Sequence, residues 1–415
     1  MQGLKQNRGQ FYLLVMINAF VGSMIGLERS VLPGLSQTIF LNSYTAMLTF
    51  LVAFGSSKAL FNLFTGKLTK VLSRKNVLLL GWIAALPVPF LLMYAQNWNW
   101  VIAANILLGI NQGLAWSTTV IMKIDLVGEK NRGLAMGINE FAGYLAVGLA
   151  AYLASEIAAA KGYAFYPFLP GIFFSIAGLS LTVFFVKDTH AHVLHEAQNS
   201  KVPLLESIWK DTSFRHPNIG SVTINGFVNN LNDGVIWGLL PALLLAKGFS
   251  VAQTGIVAGI YPAIWGLSQL ATGKWGDRFC KKQLITAGMS VQGIALVVLA
   301  FTSTFGLAIL SMVLLGMGTA LVYPNFLSIV AENTHPTQRA ESLSIFRFWR
   351  DSGYVAGALL SGILADVFGI SIALLLVALL TLMASALAEW RMCCTQKVFW
   401  KSTRCTEVER GVSMA

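Results

Sequence analysis

A stretch of eighteen residues that occurs twice constrains the fold of this chain more than any other feature. Residues 58–75 read KALFNLFTGKLTKVLSRK, and residues 265–282, placed 207 residues later, read WGLSQLATGKWGDRFCKK. Six aligned pairs are identical without a gap, namely Leu60/Leu267, Leu63/Leu270, Thr65/Thr272, Gly66/Gly273, Lys67/Lys274 and Lys75/Lys282. Because 207 is half of the 415-residue chain, the sequence predicts a tandem duplication.

The same register continues outside this stretch. At the 207-residue shift, Asn18 corresponds to Asn225, Asp125 to Glu332, and Arg132 to Arg339. After a slip of three further residues near Gly143 and Gly353, Glu140 corresponds to Arg350. The duplication therefore predicts opposite charges at one pair of related positions.

Twelve apolar stretches predict an all-α polytopic membrane protein with six spans in each repeat. The chain is 55% hydrophobic and 11% charged, whereas about a quarter of the residues of a soluble domain are charged. Each stretch approaches the roughly 20 residues that cross a bilayer. The predicted spans are 11–32, 44–65, 76–95, 99–123, 133–157, 163–186, 218–243, 250–273, 283–302, 306–330, 341–365 and 368–390.

The distribution of positive charge predicts the orientation. If the amino terminus is cytoplasmic, the inner segments hold 23 of the 29 Lys and Arg residues, and the outer loops hold only Lys161 and Lys247. We therefore expect a plasma-membrane protein with a cytoplasmic N-terminus (1–10), bundles at 11–186 and 218–390, and a cytoplasmic linker (187–217) and tail (391–415). The net charge of +11 fits attraction to anionic inner-leaflet lipid and requires no nucleic-acid partner.

The polar segments give three further expectations. The four cysteines, which all fall on predicted cytoplasmic segments, should be reduced thiols: Cys280, Cys393, Cys394 and Cys405. The linker should carry a short amphipathic helix over residues 204–209. Its histidines, His190, His192 and His195, lie in a solvated setting without cysteine, so we expect no metal site and no cofactor.

The loop in the repeated stretch resembles the signature G-x-L-x-D-R-x-G-R-K of the major facilitator superfamily of secondary transporters. In the second half the matching residues are Gly273, Asp277, Arg278, Lys281 and Lys282. In the first half they are Gly66, Leu68, Arg74 and Lys75, but Lys70 replaces the usual acid. The resemblance covers residues 11–390 and implies two bundles that rock about a site near the bilayer midplane in a monomer.

The resemblance also implies a gate at the cytoplasmic side, where the loop acid would contact a helix of the opposite half. Asp277 should then lie at the positive amino end of the fifth helix, near Gly133. Lys70 should pair with Glu341 with reversed polarity. The alternative is that these charges only set topology. The full predicted gating set is Gly66, Lys70, Arg74, Gly273, Asp277, Arg278 and Glu341.

Glycine spacing gives a further packing prediction. Gly353 and Gly357 in the eleventh span, and Gly255 and Gly259 in the eighth, should allow close helix contact. The Gly-Pro pair of the family's antiporters is absent from the fifth span, which disfavours a multidrug antiporter.

Charges inside the spans point to the substrate, because each is costly in hydrocarbon unless it is paired or hydrated. Lys58, Arg347 and Arg350 are candidate anion ligands, since guanidinium groups match carboxylate or phosphate. The candidate proton carriers are Glu140, Asp351 and Asp233. The alternative is that these charges merely neutralise one another. Glu28, Arg29 and Asp233 should line an outer vestibule.

Aromatic and polar neighbours complete the predicted cavity: Asn111, Gln112, Trp116, Asn139, Trp237 and Tyr323. The leading function is transport of a small anionic solute, facilitated or coupled to protons. The alternatives are an efflux pump for drugs or cations, with Glu140 and Asp233 as cation sites, and a membrane sensor that does not transport. An enzyme is disfavoured because the sequence lacks a nucleotide-binding loop, a metal-ligand cluster within a span and a nucleophile elbow.

Overall fold

A computed structural model describes residues 3–41, 44–128, 131–394, 396–402 and 405. The remaining residues of the predicted N-terminal segment and tail lie outside the described part. Twelve long helices occur in these ranges: α1 (Arg8–Phe40), α2 (Tyr44–Val71), α3 (Arg74–Met93), α4 (98–127), α5 (Arg132–Lys161), α6 (Tyr166–Phe185), α7 (Pro217–Ala246), α8 (Val251–Gly276), α9 (Lys281–Ala300), α10 (Phe305–Glu332), α11 (Pro336–Phe368) and α12 (Ile370–Arg391).

Each predicted span corresponds to one of these helices, so the twelve-helix architecture is confirmed. Seven of them are long and apolar enough to cross a membrane by length and composition alone. Three helices are irregular, and the first of them is α1, which ends in a π-helical segment at Ser36–Phe40. A break at Pro87 divides α3, and α4 contains a π-helical turn at Gln112–Trp116. A π turn widens the helix locally and is frequent at functional sites.

The duplication is visible in equivalent ion pairs. Arg74 Nε lies 2.9 Å from Asp125 Oδ2, and Lys281 Nζ lies 2.9 Å from Glu332 Oε1. The two pairs are related by the 207-residue shift, although both partners differ between the copies. Each pair joins the start of one helix (α3 or α9) to the end of the next (α4 or α10).

A second equivalent contact involves the identical threonines of the repeated stretch. Thr65 Oγ1 donates to the Gly113 carbonyl oxygen at 2.9 Å, and Thr272 Oγ1 donates to that of Ala320 at 2.6 Å. Gly113 and Ala320 are again 207 residues apart. The packing of α2 on α4 therefore recurs as the packing of α8 on α10.

Only one of the two glycine predictions is confirmed. A Cβ added at Gly353 would overlap the carbonyl oxygen of Phe227, and one added at Gly357 would overlap that of Leu231, so α11 packs closely on α7. At Gly255 and Gly259 an added Cβ would meet no described atom within 4 Å. That part of the prediction is wrong, because spacing alone does not show which face of α8 meets a neighbour.

Contacts divide the chain into two compact units, which we describe separately. The first contains residues 1–128 and 139–195, and the second contains residues 129–138 and 196–415. The start of α5 therefore makes its contacts within the second unit.

The linker helix differs from its predicted position. It spans His190–Asn199, and between it and the helical turn at Ile208–Lys210 the chain has no regular secondary structure. Leu205 N–H donates to Gln338 Oε1 at 2.8 Å, and Gln338 Nε2 donates to the Leu205 carbonyl at 3.1 Å. The side-chain amide of Gln338 thus pairs with the backbone of this irregular segment, an interaction that an amphipathic pattern does not reveal.

Two long helices of the second unit begin with the same His-Pro dipeptide. The Nδ1 of His216 accepts hydrogen bonds from the N–H groups of Asn218 and Ile219 at the start of α7. His335 caps α11 through the N–H of Thr337. Proline at the first helical position has no N–H to satisfy, which favours it there.

The four cysteines are not free thiols, so that prediction is wrong. Cys280 is bonded to Cys394, and Cys393 to Cys405. Sequence reasoning could not predict this pairing, because Cys280 and Cys394 are 114 residues apart and meet only through tertiary packing.

Candidate functional site

The densest group of buried charges lies on α11 in the second unit. Arg347, Arg350 and Asp351 are each at most 3% exposed. Arg350 Nη1 lies 3.1 Å from Asp351 Oδ1, and Asn230 Nδ2 of α7 donates to the same oxygen at 3.3 Å. Helical spacing of three places Arg347 on the same side of α11 as Arg350.

Arg347 differs from Arg350 in its partners. Nε and Nη1 of Arg347 donate no hydrogen bond to any residue that the structure describes. The guanidinium of Arg350 lies 4.3 Å above the ring of Tyr323, a cation–π contact, in addition to its pair with Asp351. Arg350 is therefore held in place, whereas Arg347 keeps two buried donors for another group.

An aromatic row connects this group to a second carboxylate. Tyr323 meets Trp265 edge to face at 6.4 Å, and Trp265 stacks on Tyr261 at 5.8 Å. The Tyr261 hydroxyl donates to Asp233. The row lies on α8 and α10 and ends at α7, so it links the Arg350–Asp351 pair to Asp233.

Another buried polar group on α8 has no partner among the described residues. Gln269 lies one turn after Trp265, is fully buried, and makes no hydrogen bond there through either amide atom. An unpaired buried amide is costly, so it is an independent sign of a site for a polar ligand.

Two of the three residues that were expected to line an outer vestibule are buried in the structure. Asp233 and Glu28 are both buried, and Glu28 lies in the first unit. Arg29, the third, lies 5.1 Å from the ring centre of Phe54. The position of a residue along a helix indicates its depth in the membrane but not whether other helices bury it, which explains the difference.

In the first unit, Glu140 forms the centre of a buried polar cluster. Its Oε1 accepts hydrogen bonds from Trp116 Nε1 at 3.2 Å and from Asn139 Nδ2 at 2.6 Å. Its Oε2 has no hydrogen-bond partner in the described part of the chain. Trp116 is the last residue of the π turn in α4, so that turn positions one donor.

The remaining predicted cavity residues occupy different environments. Asn111 donates to the Gly81 carbonyl at 2.9 Å and Gln112 to the Val21 carbonyl at 2.8 Å, so both amides also join helices. Lys58 Nζ lies 5.8 Å from the Phe54 ring centre. Trp237 is 48% exposed and thus differs from buried Tyr323.

The structure places Asp277 where the sequence predicts. Its two carboxylate oxygens accept hydrogen bonds from the N–H groups of Gly133 and Leu134 at 2.8 and 3.0 Å, at the start of α5. Gly273 also contacts Gly133 closely. Burial raises the pKa of Asp277, while the two backbone hydrogen bonds lower it.

The other gating residues have simpler surroundings. Arg74 pairs with Asp125, Arg278 is exposed, and the Gly66 carbonyl accepts a hydrogen bond from Thr69. Lys70 and Glu341 belong to different compact units, so their pairing stays a prediction.

A charge cluster that the sequence did not reveal lies at the linker helix. Glu196 accepts from Arg132 at 2.7 Å and from Arg339 through two hydrogen bonds at 2.6 and 2.8 Å. The two arginines are the repeat-related pair identified above, and both are buried. The duplication was the one sequence signal for this cluster. It pairs Arg132 with Arg339, and buried arginines need a carboxylate nearby.

Among the described residues, no three His, Cys, Asp or Glu side chains form a group that could hold a metal ion. The charged groups of the site are thus organised by arginine, carboxylate and aromatic side chains. They can bind an anion and take up or release a proton.

A sequence model of the Major Facilitator Superfamily matches residues 11–219 and 222–402 of this chain. The quinolone resistance protein NorA of Staphylococcus aureus is 26% identical over 147 residues, which are 34% of this chain and 37% of that protein. The fosmidomycin resistance protein of Escherichia coli (strain K12) is 25% identical over 151 residues, 36% of this chain and 37% of that protein. These matches span about a third of the relatives' length.

Two solved structures share the fold. The human organic anion transporter MFSD10 gives a TM-score of 0.76 at 15% identity and covers 92% of this chain and 99% of its own. The proton:xylose symporter XylE gives a TM-score of 0.75 at 14% identity, with 98% and 99% covered. At such identities the likeness establishes the fold alone.

Proposed function

Because this chain belongs to the major facilitator superfamily and is an integral membrane transporter, we propose that it carries a small organic anion by alternating access, coupled to protons. The observation that supports the anionic substrate is Arg347, a buried guanidinium with two donors that no described residue satisfies. The solute crosses without chemical change, so the protein needs neither a cofactor nor a catalytic residue.

The energetic argument rests on the cost of a buried charge. An ion removed from water without a partner costs several kcal/mol, and such residues inside a span mark ligand pathways. A carboxylate or phosphate would accept a charge-assisted hydrogen bond from Arg347. Arg350 stays in contact with Asp351 and Tyr323, so it adds positive potential to the site, while the anion binds to the donors of Arg347.

Glu140 is the proposed proton carrier. Its Oε1 is held by Trp116 and Asn139, which fixes the carboxyl group, while Oε2 has no partner among the described residues and can take a proton. Asp351 already faces Arg350, and Asp233 accepts from Tyr261, so both are more strongly satisfied. Lys58, Gln112 and Trp237 remain candidates for contact with the solute.

Asp277 has a proposed gating role. Its carboxylate holds the first turn of α5, and breaking these two hydrogen bonds would let that turn move during the transport cycle. The family likeness supports this role for the loop acid. We further propose a monomer in the plasma membrane with both termini in the cytoplasm.

Purified protein in proteoliposomes tests the proposal. A panel of radiolabelled carboxylates and phosphate esters should show saturable uptake that a pH gradient increases, and protein-free liposomes provide the control. Uptake that is equal for anions and cations, or that stays unchanged by the gradient, would count against the proposal.

Drug efflux is the second candidate function. The names of two relatives describe resistance to fosmidomycin and to quinolones, although each match covers about a third of the relative. In this case Glu140 and Asp233 would bind a cation. Vesicles that extrude cationic dyes under a pH gradient, while none of the anions in the panel is taken up, would favour this function.

A further inference from the structure

All four cysteines of the chain come together in one part of the second unit. Cys280 lies between α8 and α9 and is bonded to Cys394, and Cys393 is bonded to Cys405. Cys393 and Cys394 follow directly after α12. The two disulfides therefore fasten the tail to the loop that carries the repeated signature.

Backbone hydrogen bonding extends this attachment. Cys280 N–H donates to the Lys397 carbonyl at 2.8 Å, and Phe279 forms a parallel bridge with Lys397. Cys393 N–H donates to Asn218 Oδ1 at 3.1 Å. The tail is thus paired with residues 279–280 as a short strand would be.

Side chains on both sides of the loop hold the same segment. Gln283 donates to the Trp400 carbonyl and accepts from the Phe399 N–H, both at 2.7 Å. The rings of Phe279 and Phe399 stack at 4.4 Å. These contacts define a clasp formed by residues 279–283 with residues 393–394 and 396–400.

The clasp lies next to the proposed gating residue. Asp277 is three residues before Cys280 and accepts the N–H groups of Gly133 and Leu134. We propose that the four cysteines form a reversible thiol–disulfide site whose oxidised form locks the clasp and holds Asp277 on α5. The consequence for transport rests on the proposed function, but the redox site itself does not.

The predicted orientation gives the reason for reversibility. Positive charge places the tail in the cytoplasm, where thiols are kept reduced and the disulfides that do form are mostly transient or redox-sensing. A cytoplasmic dithiol of the thioredoxin class would be the reductant. Two disulfides in that compartment therefore point to a switch more than to a permanent brace.

The reaction balances for each bond. One thiolate of the dithiol attacks a cystine sulfur, which forms a mixed disulfide and releases one cysteine thiolate. The second thiol of the reductant attacks the mixed disulfide and releases the other cysteine. Two electrons and two protons are transferred, and the reductant leaves as its own disulfide. Reoxidation reverses these steps.

Hydrogen exchange measured by mass spectrometry on the full chain in membranes tests the clasp directly. Dithiothreitol should speed exchange in residues 277–283 and at the amides of Gly133 and Leu134 by about tenfold or more, since the locked segment is released. The matched control replaces all four cysteines by serine. It should exchange rapidly from the start and show no response to dithiothreitol.

Two further measurements can overturn the proposal. Rapid alkylation in intact cells, followed by peptide mapping, should recover Cys280–Cys394 and Cys393–Cys405 after oxidant treatment and free thiols after recovery. Free thiols under both conditions, a stoichiometric zinc ion held by the thiols, or exchange that does not respond to dithiothreitol would each contradict it. Altered exchange without any transport of anions would instead contradict the proposed function.

Discussion

At the scale of single residues, Arg347 and Arg350 show how neighbouring positions acquire different roles. Both are buried on α11, yet Arg350 pairs with Asp351 and lies over the Tyr323 ring, while Arg347 has two donors without partners in the described chain. The sequence identified both as charges inside a span. It could not distinguish them, because hydrogen-bond satisfaction depends on residues from other helices.

Glu140 yields the first prediction at this scale. Glu140→Gln keeps the hydrogen bond from Trp116 possible but cannot carry a proton, so accumulation driven by a pH gradient should fall at least about tenfold while counterflow exchange persists. Uptake and counterflow in the same proteoliposomes measure the two activities.

Glu156→Gln is the matched control, since it changes the same residue type on the same helix at an exposed position. Full gradient-driven accumulation by Glu140→Gln would show that another group carries the proton. Asp351→Asn would then be the next variant to measure.

At the scale of secondary-structure elements, the linker helix acts through Glu196. This carboxylate satisfies Arg132 and Arg339, whose side chains are only 1% and 3% exposed. Glu196→Gln removes the carboxylate that both buried arginines share. We expect it to destabilise the protein by roughly 3–5 kcal/mol, as for other broken buried pairs.

Glu206→Gln provides a matched comparison on the same linker. Glu206 pairs with Arg215, but both side chains are exposed, at 77% and 57%, so its loss should change the stability very little. Thermal unfolding of detergent-solubilised protein measures both variants. Equal melting temperatures for the two would show that Glu196 does not hold the arginines together.

The His-Pro starts of α7 and α11 predict a pH dependence. Burial lowers the pKa of His216, opposed by Asp211 and reinforced by Arg391, and burial also lowers the pKa of His335. A histidine whose pKa is lower in the folded state stabilises the fold above its unfolded pKa, and this contribution is lost as the pH falls through the folded pKa.

Each cap should contribute about 1 kcal/mol, because only the neutral imidazole can accept the helix N–H groups. The melting temperature should therefore drop below about pH 6.5. The double variant with His216→Asn and His335→Asn keeps an accepting cap that does not titrate, so it should lose less stability over this range. An unchanged pH profile in the double variant would exclude the caps as its cause.

At the scale of the whole molecule, the sequence predicted the architecture much better than the contacts of the site. Apolar length and the 207-residue repeat predicted twelve helices, and the family resemblance predicted the position of Asp277 at the start of α5. The sequence analysis did not predict the charge cluster at Glu196 or the bond between Cys280 and Cys394. Both join segments far apart in the chain, and neither changes the hydrophobic pattern that sequence reasoning uses.

Membrane orientation yields the prediction at this scale. In the variant whose four cysteines are serines, Lys201→Cys in the linker should resist an impermeant thiol reagent in intact cells, whereas Lys161→Cys in the predicted outer loop should react. The positive-inside rule gives the reason. Labelling of the linker with protection of residue 161 would reverse the orientation.

Direct binding of a labelled anion is the measurement that tests the central role of Arg347. Arg347→Lys keeps the charge but loses the planar fork, so it should weaken binding by about tenfold or more, as for other charge-assisted hydrogen bonds. Arg215→Lys, at an exposed arginine, should bind like the unmodified protein. If folded Arg347→Lys and Arg347→Ala both bind the transported anion with unchanged affinity, Arg347 is not its ligand and the anion site must lie elsewhere.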